Sequence, residues 1–171
     1  MKLSYLKQAD QMITDWDNMF FSEAVLWSRR SHDVQTQCGC VLVKNKTVIA
    51  TGYNGFIRSI DDLALPNTRP EKYPFMIHAE ANAIYNAARE GQSTMGAKAY
   101  ITAPPCVSCL QMLWQTGIHE IYFSDLSSPR SCFYGDKYES VLDQIIDRIK
   151  FVYVPKSKLS NYLLTQAAEK F

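Results

Sequence analysis

Two short clusters, His78-Ala79-Glu80 and Pro104-Pro105-Cys106-Val107-Ser108-Cys109, constrain the fold of this chain more than any other feature. Cys106 and Cys109 are three apart and share one face of a helix, so both thiolates can reach a single ion at its first turn. Pro105 suits a helix start, where its missing N–H would be an orphan donor anyway, and the positive end of the helix dipole favours a thiolate. His78 can add a third ligand through a neutral ring nitrogen. Three protein ligands leave a fourth position open to water, the mark of a catalytic rather than a structural zinc site. Glu80, two residues from His78, does not share its face in a helix interior. That cluster therefore straddles a helix start, with His78 at the entry and Glu80 in a first turn whose side chains lean back towards the N-terminus. Twenty-five residues separate Glu80 from Cys106, so two helix starts have to meet at one ion.

The surrounding pattern supplies the elements for such a meeting. An amphipathic helix is predicted over Asp15 to Arg30, with Phe20, Ala24 and Trp27 on one stripe and Phe21 and Val25 beside it. Cys38 to Val43 and Thr47 to Thr51 read as a hairpin about Lys44-Asn45-Lys46. Helix is predicted over Ala79 to Arg89, Val107 to Thr116 and Val141 to Arg148, and strand over Ala99 to Thr102, Ile118 to Phe123 and Phe151 to Val154. This alternation implies right-handed crossovers and an α/β sheet covered by helices. The length of 171 residues fits one domain, with a core over about 15–154 and a C-terminal helix over about 157–170. The one long irregular stretch, Phe56 to Ile77, carries Asp61, Asp62, Arg69, Glu71 and Lys72, and loops of that length are commonly functional.

Charge and cysteine usage narrow the partners. Eighteen basic against 17 acidic residues leave a formal net charge of +1, which favours small ligands over long nucleic acids. The start has no signal-peptide pattern and no run of about 18 apolar residues could span a bilayer, so a cytoplasmic protein is expected. Five cysteines suit reduced thiols and metal ligation better than a disulfide framework. A C-x-x-C pair alone also fits a structural zinc half-site or a redox pair, and a noncatalytic zinc-stabilised module with Glu80 as a helix cap is the rival reading. Cys38 and Cys40 are expected to be buried packing residues or partly exposed thiols, His32 and His119 surface histidines, Cys132 a loop thiol, and Trp16, Trp27 and Trp114 core or subunit contacts.

The H-x-E and P-C-x-x-C pattern resembles the zinc-dependent cytidine and deoxycytidylate deaminase superfamily. Gly52-Tyr53-Asn54-Gly55, the acidic loop with Asp61-Asp62, Tyr73-Pro74, and His78-Ala79-Glu80-Ala81-Asn82-Ala83-Ile84 look like its deoxycytidylate branch. With Arg30-Ser31 the resemblance covers roughly Phe20 to Asp125. It implies a three-layer cytidine-deaminase-like fold, a central mixed sheet of about five strands covered by helices. It further implies hydrolysis of a cyclic amidine C–N bond, converting dCMP to dUMP with release of ammonia and supplying dUMP for thymidylate synthesis. By position, His78, Cys106 and Cys109 become the Zn²⁺ ligands, Glu80 the catalytic proton shuttle, and Asn54, Arg30, Ser31 and Ala79 substrate contacts, with Asn54 at the sugar and Arg30 at the phosphate. The same chemistry on cytidine, dCTP or adenosine within nucleic acid is the nearest alternative, opposed by the charge balance and Arg30. Regulated relatives imply activation by dCTP and inhibition by dTTP at a site of Gly52, Tyr53, Gly55, Asp61 and Asp62, where a Mg²⁺ ion could bridge the two carboxylates to a triphosphate. A homo-oligomer, a hexamer by resemblance, is expected. Family members carry an aromatic lid soon after the strand ending at Phe123; here aromatics return only at Phe133-Tyr134.

Overall fold

Helix α1 (Asp15–Ser28) begins where Thr14 and Asp17 close a capping box in a computed structural model that describes residues 14–127 and 136–159. The Thr14 hydroxyl accepts from the Asp17 N–H at 3.2 Å, and the Asp17 carboxylate accepts from the Thr14 N–H at 2.8 Å, so two orphan donors of the helix start are satisfied. Phe20, Phe21, Ala24 and Val25 are buried on its inner face. Trp27 is only half-buried and stacks on Tyr53.

Strands β1 (Gly39–Lys44) and β2 (Thr47–Tyr53) form an antiparallel hairpin with a two-residue loop. Asn45 and Lys46 both have positive φ there, as a turn matched to the twist of the strands requires. Helix α2 (Ala79–Arg89), β3 (Lys98–Ile101), α3 (Val107–Gln115), β4 (Glu120–Phe123), α4 (Asp136–Ile145) and β5 (Lys150–Tyr153) follow. The sheet order is β2-β1-β3-β4-β5. β3 runs antiparallel to β1, and β3, β4 and β5 are mutually parallel, making the sheet mixed. Strand alternation then divides the core into two layers. Val41, Val43, Tyr100, Tyr122 and Val152 pack against α1 on one face. Cys40, Leu42, Ala99, Ile101, Ile121 and Phe123 pack against α2, α3 and α4 on the other.

Most boundaries fall one or two residues from the sequence pattern, and the start of α4 falls five residues earlier. α4 spans Asp136–Ile145 rather than Val141 to Arg148, because its buried stripe is Tyr138, Leu142 and Ile145 at helical spacing. β4 starts at Glu120 rather than Ile118, since Gly117, at φ +80°, closes the turn after α3 and only then does the chain join the ladder. The expected C-terminal helix lies outside the described residues apart from a single 3₁₀ turn at Lys156–Lys158. Among the described residues no helix is long and apolar enough to cross a membrane.

α2 carries one half of the ligand pattern, and its seat on the hairpin depends on small residues. A Cβ added at Gly52 would lie 2.3 Å from the Ala79 carbonyl oxygen and 2.4 Å from the Ala83 nitrogen. Only glycine in β2 lets the helix backbone come this close. Two side-chain amides then fasten the helix to that edge strand. Asn82 donates to the Tyr53 carbonyl at 2.8 Å, and Asn86 donates to the Thr51 carbonyl at 2.7 Å. Gly52→Ala is therefore expected to cost about 1–3 kcal/mol through overpacking, seen as a lower guanidinium midpoint. An unchanged midpoint would show that α2 is not seated by this contact.

Candidate active site

The two helix starts meet beside the ends of β2 and β3, the edge at which open α/β sheets bind ligands. His78 is the N-cap of α2 and Cys106 the N-cap of α3. The Cys106 sulfur accepts from the Cys109 N–H at 3.5 Å, which turns the cap and the next ligand-bearing residue towards one point. His78 Nδ1 stands 3.5 Å from Cys106 Sγ and 3.5 Å from Cys109 Sγ. All three ligand-competent atoms lie within 4.8 Å of one another, and they form the one metal-competent group of three found among the described residues. Tetrahedral zinc with Zn–N near 2.0 Å and Zn–S near 2.3 Å sets a nitrogen and a sulfur ligand about 3.5 Å apart. The observed spacing fits that ion.

The charge state of the trio points the same way. A hydrogen bond with Cys109 is the main cause holding the Cys106 thiol down at about 4. A hydrogen bond with Cys106 raises His78 to about 9. The hydrogen bond with Cys106, together with burial, pushes the Cys109 thiol up. By themselves the three groups thus carry one thiolate beside a protonated imidazole. A divalent cation would displace the remaining protons and take two thiolates and a neutral ring. Glu80, in the first turn of α2, is only 4% exposed, and burial pushes its carboxyl up to about 7. A carboxyl so placed can hold a proton or release one near neutral pH.

A cleft of about 310 Å³ opens onto these groups, and His78, Ala79, Glu80, Asn54 and Cys106 line it. That volume lies at the lower end of small-molecule sites. Asn54 is buried and rigidly held: its Oδ1 accepts from the Cys38 N–H at 2.7 Å, and its Nδ2 donates to the Thr36 carbonyl at 2.8 Å and to Asp33 Oδ2 at 3.1 Å. Both amide protons are used, so Asn54 can offer a ligand only its remaining oxygen lone pair. Asp33 in turn receives the Lys72 ammonium on both oxygens at 2.6 Å, in a pair 2% and 3% exposed. Sequence reasoning placed Lys72 in a long loop without a role. Its partner lies 39 residues away, and charge patterning carries no signal over that distance.

The other expected site residues fall in different places. Ser31 is buried and donates its hydroxyl to the Asn54 carbonyl at 2.7 Å, so it braces the cleft wall. Arg30 is exposed and is not among the residues lining the cleft. Cys38 is the partly exposed thiol, packed against the core and lining the cleft, and Cys40 is the fully buried one. His32 is not a surface histidine: it is 11% exposed, stacks on Phe56 and meets Asp62 at 3.1 Å. Of the five expected effector residues, Tyr53, Gly55 and Asp62 line a second cavity of about 470 Å³. Gly52 lies under α2, and Asp61 accepts from the Leu63 N–H within its own turn. The two carboxylates assigned to Mg²⁺ are thus engaged in separate contacts. Phe133, Tyr134 and Cys132 lie outside the described residues. A larger cavity, about 870 Å³, opens at the opposite end of the sheet beside Glu120 and Lys150 and is lined by none of the three ligand groups.

An α/β/α sheet whose helix starts bring one histidine, two cysteines and a buried carboxylate to one cleft has the arrangement of a metal-dependent hydrolase. Residues 14–125 match the family described as the cytidine and deoxycytidylate deaminase zinc-binding region, and the chain belongs to that family. It is 33% identical to the deoxycytidylate deaminase of Homo sapiens over 116 residues, 64% of each chain. The match therefore spans less than two thirds of the human protein. An uncharacterized deaminase from the luxG 3′ region of Aliivibrio fischeri is 33% identical over 128 residues, 75% of this chain and 85% of that protein. The apo crystal structure of dCMP deaminase from cyanophage S-TIM5 superposes with a TM-score of 0.66 at 25% identity, covering 84% of this chain and 100% of that one.

The ligand geometry has a direct check. Purified protein is expected to hold one zinc per chain, to lose it on dialysis as Cys109→Ser, and to keep it as Cys38→Ser, by mass-spectrometric metal analysis. Stoichiometric zinc in Cys109→Ser would place the ligands elsewhere.

Proposed function

We propose that this chain hydrolyses dCMP to dUMP and ammonia. The observation that carries the reading is the buried Glu80 carboxyl in the cleft lined by His78 and Cys106, which form one ligand group with Cys109. Zinc held by those three groups would supply Lewis acidity for water activation near neutral pH. Glu80 takes a proton from the attacking water as its oxygen bonds to C4 of the cytosine ring. It delivers that proton to ring N3. It then relays the second water proton to the exocyclic amine, and the C–N bond breaks to release ammonia. The free acceptor of Asn54 suits a sugar hydroxyl, which can donate to it. The deoxycytidylate and dCMP deaminases among the relatives support the choice of base and sugar, and the near-neutral charge supports a free nucleotide over a polyanion.

The assay measures ammonia and the absorbance change over dCMP, CMP, cytidine, dCTP and a short single-stranded DNA. dCMP is expected to be the best substrate. Zinc-loaded Glu80→Gln is expected to lose about 10²–10⁴-fold in kcat, the contribution typical of one general acid–base group. Near-normal turnover in that variant would remove Glu80 from the mechanism. No ammonia from any substrate would favour the noncatalytic zinc module.

Regulation is a second reading, and the separate cavity at Tyr53, Gly55 and Asp62 favours it. With magnesium present, dCTP is expected to lower the half-saturating dCMP concentration and dTTP to raise it, because an effector acts only through its differential affinity for two states. Substrate curves unmoved by either triphosphate would overturn the regulation and leave the deamination intact.

A further inference from the structure

We infer that the Arg69 guanidinium receives the phosphate of the nucleotide substrate, a role that rests on the deamination proposed above. A phosphate monoester brings between one and two negative charges to the cleft, and among the described residues two basic side chains line it besides the metal-ligand candidate His78, namely Lys72 and Arg69. Lys72 is committed: it is 3% exposed and bonded to both oxygens of Asp33 at 2.6 Å. Turning it to a ligand would leave the buried Asp33 carboxylate without its counter-charge.

Arg69 differs in each respect. It is exposed, and among the described residues it is the cleft cation without a carboxylate partner. A terminal guanidinium nitrogen donates to the Thr36 hydroxyl. Its backbone N–H donates to Gln35 Oε1 at 2.9 Å, which ties the root of the side chain to the same loop. The carbonyl of Thr36 accepts from Asn54 Nδ2 at 2.8 Å. One residue therefore links the group available to a sugar hydroxyl with the group available to a phosphate, as the two ends of a nucleoside monophosphate require. A guanidinium has five N–H donors in a planar fork, so the contact to Thr36 leaves paired donors for two phosphate oxygens. Arg58 lines the other cavity and donates to Asn86, and Arg30 lies outside the cleft.

The experiment compares dCMP with deoxycytidine on the zinc-loaded wild type, Arg69→Ala, Arg69→Lys and Arg30→Ala, and titrates dCMP and inorganic phosphate into each by calorimetry. Arg69→Ala is expected to lower kcat/KM for dCMP by about 10- to 100-fold, the range of a charge-assisted contact. The loss should fall mainly on KM, with deoxycytidine changed less than about twofold. Arg69→Lys should recover part of it, since an ammonium keeps the charge but not the fork. Calorimetric affinity for dCMP should fall with Arg69→Ala, and phosphate should cease to compete with it, whether or not turnover is measured. Equal losses on both substrates, unaltered dCMP affinity in Arg69→Ala, or a dCMP-selective loss in Arg30→Ala would overturn the assignment. A wild type that binds dCMP through Arg69 yet releases no ammonia would instead overturn the deamination.

Discussion

Close contact between α2 and the β1–β2 hairpin is the constraint on which the rest of this structure depends. With Gly52 lacking a Cβ, the backbone of α2 can rest where that atom would lie 2.3 Å from the Ala79 oxygen. Ala79, Ala83 and Ala87 keep the buried stripe of the helix thin, and Asn82 and Asn86 bind it to carbonyls of β2. Seated in this way, the helix carries His78 to the start of α3 and puts Glu80 below the surface. A bulkier residue at either contact would lift the helix start from the sheet and separate the nitrogen from the two sulfurs.

The proposed reaction divides the cleft between chemistry and recognition. Groups for the reacting ring sit on the first residues of two helices, where backbone geometry is regular and neighbouring packing is dense. The proposed recognition groups, Asn54 after β2 and Arg69 in the long loop before α2, are held in place by Asp33 and Lys72. A buried ion pair of this kind adds little net stability, because desolvation offsets most of the attraction. Its effect here is positional. Asp33 orders Asn54 directly, and Lys72 fastens the loop that carries Arg69. Since a shared fold hosts many substrates, selection among them falls to such loop-borne groups.

The second cavity sits on the other side of the Tyr53–Gly55 turn from the cleft. Asn54 points into one, while Tyr53 and Gly55 face the other. A ligand in the second cavity would touch the chain on both sides of Asn54, whose carbonyl and amide are anchored to Ser31, Asp33 and Thr36. That adjacency gives the proposed regulation a short physical route between cavity and cleft, through one turn rather than through the core.

The local elements and the metal ligand group were legible in the sequence because both depend on short spacing. Helical period marked Phe20 and Ala24, alanine richness marked Ala79 to Arg89, short β-branched and apolar runs marked the strands, and the Cys106-x-x-Cys109 spacing together with Pro105 marked a helix start able to hold an ion. Even the need for His78 and Glu80 to straddle a helix boundary followed from three residues. The start of α4 was missed because its stripe begins with Tyr138 in a polar run. What only the tertiary structure decided are contacts between distant segments: Lys72 with Asp33, Arg69 with Thr36, and Gly52 beneath Ala79. It also left Arg30 outside the cleft lining and His32 largely covered, against Phe56 and Asp62. Spacing along the chain encodes which side chains share a face within one element. Which faces meet is decided by packing across the sheet, where a missing Cβ or one buried counter-charge selects the neighbour.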